Sequence, residues 1–154
     1  MFGLLQSIKR RQMVLSQNGV VKVAKFDLSD WQEVKSCGTT ACACGYAGTT
    51  PWFTKRGFTI DVDSDGDGHP IYKNSSGKVF EGWEAVTEFF GLTSREAYYL
   101  FMSDAYSERD RKSPGAVADR INAFLIDRQR ADYSKSAAED LAKRIERQLD
   151  KAGL

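Results

Sequence analysis

The sequence predicts an α+β fold, mainly helical, with five to seven helices around a Gly/Cys-rich central helix and one small antiparallel β-hairpin. Three observations carry this. Apolar residues recur at three- and four-residue spacing through most of the chain beyond residue 80, the period of a helix with one buried face. Phe58, Ile60 and Val62 instead alternate with Thr59, Asp61 and Asp63, the period of a strand. All three cysteines and three glycines fall within residues 37–48, a concentration of small side chains that suits close packing.

Taken in order, residues 2–15 read as a first helix, with Leu4, Leu5 and Ile8 on one side and Lys9-Arg10-Arg11 on the other. Gln17-Asn18-Gly19 is a stop and turn signal. Residues 20–23 suit a strand or an extended linker equally. Phe26-Asp27-Leu28-Ser29-Asp30-Trp31 begins a short helical segment, with Asp27 or Ser29 as N-cap and Trp31 as core anchor. The hairpin follows, with turns at Asp65-Gly66-Asp67-Gly68 and Asn74-Ser75-Ser76-Gly77. Residues 81–90 form a helix stopped by Gly91. Thr93-Ser94-Arg95-Glu96 is a capping box for the next, and Ser113-Pro114 opens another with proline at its first position. Ser136-Ala137-Ala138-Glu139 reads as a second capping box and a final helix start. Along these helices Trp83, Phe89, Phe90, Tyr98, Tyr99 and Phe101 take core spacing, with Tyr98 or Tyr99 left for a contact surface.

The totals bound the function. A chain of 154 residues, 42% hydrophobic and 28% charged, can bury one core unaided, so a single domain over 1–154 is expected. No apolar run approaches the roughly 20 residues of a membrane helix, so no membrane partner is expected. An odd cysteine count and no secretory signal pattern point to a reducing cytoplasm. The net charge of +1 hides an asymmetry: residues 1–25 hold five bases and no acid, residues 26–106 twelve acids and six bases.

The segment Cys37-Gly38-Thr39-Thr40-Ala41-Cys42-Ala43-Cys44-Gly45-Tyr46-Ala47-Gly48 admits two chemical readings and one structural one. Zinc needs converging thiolates. On a helix, Cys42 and Cys44 stand about 200° apart, leaving Cys37, one of them and His69 short of a tetrahedral set. A Cys–His pair needs a thiolate lowered by its surroundings, and His69 has no evident orienting partner. The packing reading places Ala41, Cys44, Gly45 and Gly48 on one face, with Thr39 or Thr40 capping the helix after Gly38. Such a face admits another helix closely, and buried cysteine serves as a small hydrophobe.

Asp61, Asp63, Asp65 and Gly66 match the first half of a calcium loop, D-x-D-x-D-G. Its twelfth position is Tyr72 rather than a bidentate carboxylate, so zinc and calcium remain minor alternatives and no cofactor is expected. Phosphate-binding, dinucleotide-binding and nucleophile-elbow motifs are all missing from the sequence, and the chain is expected not to be an enzyme.

The run from Phe26-Asp27-Leu28-Ser29-Asp30-Trp31 through Cys37 to Ala47 resembles small proteins of unknown function in tailed-phage and bacterial genomes. In those, a Trp-containing segment precedes a C-G-T-x-x-C-x-x-G-x-A core. The likeness continues in Phe89-Phe90-Gly91-Leu92, in Leu100-Phe101 and in Ser113-Pro114, over residues 26–126. It implies phage or prophage origin and brings no activity with it. The expectation is therefore a non-enzymatic accessory protein that binds and modulates a host macromolecule, a protein, through Asp61, Asp63, Asp65 and Asp67. The alternatives are a nucleic-acid-binding module using the basic N-terminal arm and the late helices, and a small-ligand or structural-zinc domain.

Overall fold

The computed structural model describes residues 14–17, 20–35 and 38–152. These form an α+β structure with a mixed sheet and, among the described residues, five α-helices. The strands are β1 (Val14–Gln17), β2 (Val20–Phe26), β3 (Gln32–Lys35), β4 (Gly38–Ala41), β5 (Phe58–Val62), β6 (Asp67–Lys73) and β7 (Val79–Glu81). The helices are α1 (Ala43–Gly48), α2 (Pro51–Thr54), α3 (Gly82–Phe90), α4 (Ser94–Phe101) and α5 (Pro114–Ala152). The chain divides into two compact units, one up to Ala118 and one from Asp119 onward.

In the first unit the strand order is β1-β2-β4-β3-β6-β5, with β7 also paired to β6. Among the described strands only β2 and β4 run parallel, because β4 inserts between β2 and β3 after the β3–β4 reversal. The expected lone hairpin is thus one part of a larger sheet. β6 carries β5 along one edge, while its other edge pairs with β3 at Asp67 and Gly68 and with β7 from Ile71 to Lys73.

Several expectations are corrected. Residues 2–13 of the proposed first helix lie outside the described residues, and Val14 and Leu15 belong to β1, opposite Val23 and Lys22. Residues 20–26 are a strand. Asp27 caps no helix: its Oδ1 accepts from the backbone N–H and the hydroxyl of Ser29, at 3.0 and 2.8 Å, closing a turn. This local bond competes with helix formation and leads the chain into β3. Thr39 and Thr40 lie in β4, where β-branched side chains suit a strand paired on both edges. The small-residue helix is only six residues long and starts at Ala43. At the other end, the capping box at Ser136 opens nothing. From Gly115 to Gly153 the sequence has no further glycine and no proline, so nothing interrupts α5, and serine is tolerated in a helix interior.

Other signals act as read. Gly91 ends α3 in the left-handed region at φ 61°. Thr93 Oγ1 accepts from the Glu96 N–H at 3.2 Å while Glu96 Oε2 accepts from the Thr93 N–H at 2.7 Å, a complete capping box. The Ser113 hydroxyl accepts from the Ala116 N–H at 3.2 Å at the start of α5.

The core of the first unit is aromatic. Phe58 on β5 is fully buried, with the rings of Phe89 and Phe90 at 4.8 and 5.4 Å and that of Phe53 at 6.5 Å. Burying one such ring contributes about 1.5–3 kcal/mol, and tilted rings at these separations add to it. A second cluster joins Ala41 and Tyr46 to Phe26. The second unit is the continuation of α5, whose Leu125, Ile126, Tyr133 and Leu141 are exposed. No helix among the described residues is long and apolar enough to cross a membrane.

Candidate functional site

The acidic residues come together at the reversal between β5 and β6. Asp61 is on β5 opposite His69, Asp67 begins β6, and Asp63 and Asp65 lie in the turn. All four aspartates are exposed, and His69 is half-buried in its strand. Asp63 spends one carboxylate oxygen on the turn itself: Oδ1 accepts from the N–H groups of Asp65 and Asp67 at 2.9 and 3.0 Å. Gly66 adopts φ 94°, and a β-carbon there would collide with the carbonyl of Val34. The Gly66 carbonyl in turn accepts from the Val34 N–H at 2.9 Å. The turn is therefore a short, braced loop docked on β3, and its aspartates are exposed.

A pocket of about 370 Å³ opens beside this turn. Its wall comes from the segment after β2 (Asp30, Trp31), from Gln32 at the start of β3, from the start of β6 (Asp67, Gly68), from Trp83 on α3 and from the end of α4. Trp31 and Trp83 pack at 4.5 Å between centroids with a 59° tilt. Gln32 is 8% exposed, and its buried Oε1 has no hydrogen-bond partner among the described residues. It faces Gly68 across the β3–β6 pair, and a β-carbon on that glycine would meet Gln32 Cβ at 3.1 Å and Ile60 Cγ2 at 2.7 Å. Two carboxylates and no cation line the pocket.

The sequence named Trp31 as an anchor and Asp67 as a contact residue, but it missed Gln32 and the Trp31–Trp83 pairing. One signal was available for Gln32. It is in phase with Val34 on a strand, so its side chain shares the face of an apolar neighbour. The contact with Trp83 joins residues 52 positions apart, and no local period reports it.

Cys37 lies outside the described residues. Cys42 and Cys44 are buried free thiols, and the predicted 200° separation does not hold. Cys42 precedes the helix as its N-cap, with Sγ accepting from the Gly45 N–H at 3.4 Å. Burial pushes the Cys44 thiol well up, and the neighbouring Cys42 sulfur adds to this. For Cys42 burial also acts upward, but a hydrogen bond from the Cys44 side chain and those from backbone N–H groups outweigh it and hold this thiol lower. Among the described residues no three His, Cys, Asp or Glu side chains are grouped to hold a metal ion.

Gly38 opens β4 opposite Lys35. Gly45 and Gly48 admit close neighbours, but not a helix: a β-carbon on Gly45 would collide with the Trp31 carbonyl, and one on Gly48 would meet Ile60 Cγ1 at 2.6 Å. Gly45 thereby seats the segment that carries Trp31 and Gln32 into the pocket.

At the opposite end of the β5–β6 hairpin lies a groove of about 860 Å³ with the reverse charge. Lys55, Arg56 and Lys73 line it, and no carboxylate does. Trp52 is 51% exposed there, with the Arg56 guanidinium 3.8 Å from its ring centroid and Arg56 Nη1 donating to the Trp52 carbonyl at 2.9 Å. Comparison with protein-family models, curated proteins and solved structures finds no match to this chain.

Proposed function

We propose that the chain is a non-enzymatic accessory protein that binds a basic segment of a host macromolecule, a protein, and modulates it. The observation that supports this is the position of Asp67, which belongs both to the braced acidic turn and to the wall of the tryptophan-lined pocket. Exposed carboxylates on a preorganised loop lose little entropy when a partner docks. They also steer a basic partner and discriminate against acidic ones.

Affinity capture with the tagged chain and an Asp63→Lys/Asp65→Lys variant tests the reading. The parent retains one dominant partner, and the variant loses it. Equal capture by both discards the acidic face.

A second reading draws on the opposite groove. Lys55, Arg56 and Lys73 around the exposed Trp52 combine the charge and stacking surface that single-stranded nucleic acid uses. This moves the nucleic-acid alternative away from Lys9, Arg10 and Arg11, which lie outside the described residues. A Trp52→Ala/Lys73→Glu variant loses oligonucleotide affinity if it holds, and parent affinity falls steeply with salt. No binding by the parent at low salt ends this alternative.

A further inference from the structure

We infer that the pocket beside the acidic turn takes the guanidinium group of an arginine side chain presented by the partner. This deepens the acidic-face reading and rests on it for the identity of the partner.

Three features point the same way. The lining includes the carboxylates of Asp67 and Asp30 and, among the described residues, no Lys, Arg or His, so a positive ligand group meets complementary charge at Asp67. Trp31 and Trp83 meet at 4.5 Å and a 59° tilt, so the pair offers ring faces in two directions. A guanidinium is planar and weakly hydrated and stacks on indole, where a compact ammonium keeps its water. Gln32 brings a carbonyl oxygen that has no donor among the described residues, on a side chain more than nine-tenths buried. Such an acceptor is costly to leave unmade, and a guanidinium has five N–H donors to divide between it and the carboxylates.

Space and access agree. The volume, about 370 Å³, is at the small end of the roughly 300–1,000 Å³ range of ligand sites, which suits one long side chain rather than a folded element. Gln32 Oε1 is covered, so a donor reaches it when the amide turns about its terminal torsion, a soft rotation that exchanges the places of Oε1 and Nε2. A β-carbon on Gly68 would crowd Gln32 Cβ at 3.1 Å, so the bare glycine opposite keeps room for the side chain.

The test titrates the full ¹⁵N-labelled chain with N-acetyl-arginine amide, N-acetyl-lysine amide and the neutral isostere N-acetyl-citrulline amide, following the indole N–H resonances. The arginine probe shifts Trp31 and Trp83 saturably and leaves Trp52 unmoved. Equal response to citrulline or to lysine, or no saturable shift, overturns the assignment. Gln32→Leu, checked for folding by its melting transition, weakens the arginine probe about tenfold, the loss expected for one charge-assisted hydrogen bond. Unchanged affinity in that variant overturns the role of Gln32.

The Asp63→Lys/Asp65→Lys chain separates this proposal from the one it rests on, since neither residue lines the pocket. Probe binding by that chain together with undiminished capture sinks the acidic face and sustains the pocket. Capture lost in that chain, with no probe binding by the parent, does the reverse.

Discussion

The carbonyl oxygen of Trp31 occupies the space where a β-carbon on Gly45 would lie. The same carbonyl accepts from the Cys42 N–H at 3.1 Å, so the segment entering β3 is sewn to the start of α1 by contact and by hydrogen bond. Trp31 reaches its partner Trp83 from this position, and the pocket depends on it.

Gly45→Ala therefore forces backbone apart inside a fully packed region. We expect a loss of about 3 kcal/mol or more, at the upper end for overpacked cores, read by chemical denaturation. Gly91→Ala makes the control. That residue is at φ 61° with nothing within 4 Å of its β-carbon position, so only left-handed strain applies, about 1–2 kcal/mol. A smaller loss at Gly45 than at Gly91 refutes the close approach.

In the acidic turn, Asp63 has a structural task separable from its charge. Asp63→Ala removes the acceptor of two backbone N–H groups and is expected to cost about 1 kcal/mol and to raise amide exchange at Asp65 and Asp67. Asp63→Asn keeps an acceptor oxygen and loses only the charge. If the turn presents charge to a partner, Asn weakens binding with stability nearly retained. Identical denaturation midpoints for Ala and wild type contradict the brace.

Gln32→Leu is expected to stabilise the folded chain by about 1 kcal/mol, because it removes a buried acceptor without a donor and substitutes an apolar group of similar size. A destabilised variant means that the amide is satisfied in solution.

Tyr46 governs part of the alkaline limit. Burial raises its phenol to about 12, above the ordinary value near 10, and its hydroxyl donates to the Lys25 carbonyl at 3.3 Å. The folded state holds the proton more tightly than the unfolded state. Its contribution is complete below about pH 10 and is lost as pH rises to about 12, on the order of 2 kcal/mol. Tyr46→Phe should flatten that part of the stability profile relative to wild type, and parallel profiles would remove Tyr46 as the cause.

The legible parts of the sequence were those whose signal is local. Gly91, the Thr93–Glu96 box and Ser113-Pro114 act through bonds spanning a few residues, and each appears where it was read. The β5–β6 reversal was legible for the same reason, since alternation and Asp-Gly turns are both short-range. Thr39-Thr40 and residues 14–15 were misread because helix and strand periods are ambiguous over four or five residues. There the choice came from partners far along the chain: Thr39 pairs with Ala24 and with Val34.

The candidate site divides in the same way. The acidic turn could be named from the sequence, because four aspartates and two glycines within residues 61–68 declare both charge and turn. The pocket beside it could not. Trp31, Gln32, Asp67 and Trp83 share a wall only because β3 pairs with β6 and α3 packs on the same sheet, a consequence of long-range register. By itself, then, the sequence determined the helix boundaries set by Gly91, by the Thr93–Glu96 box and by Ser113-Pro114, and the acidic tip. The tertiary structure decided how many strands join the sheet, which backbone fills the space beside Gly45, and that Gln32 lines one pocket with Trp31, Trp83 and Asp67. Short-range bonds are written into neighbouring residues, whereas packing is settled by which distant surfaces exclude water together.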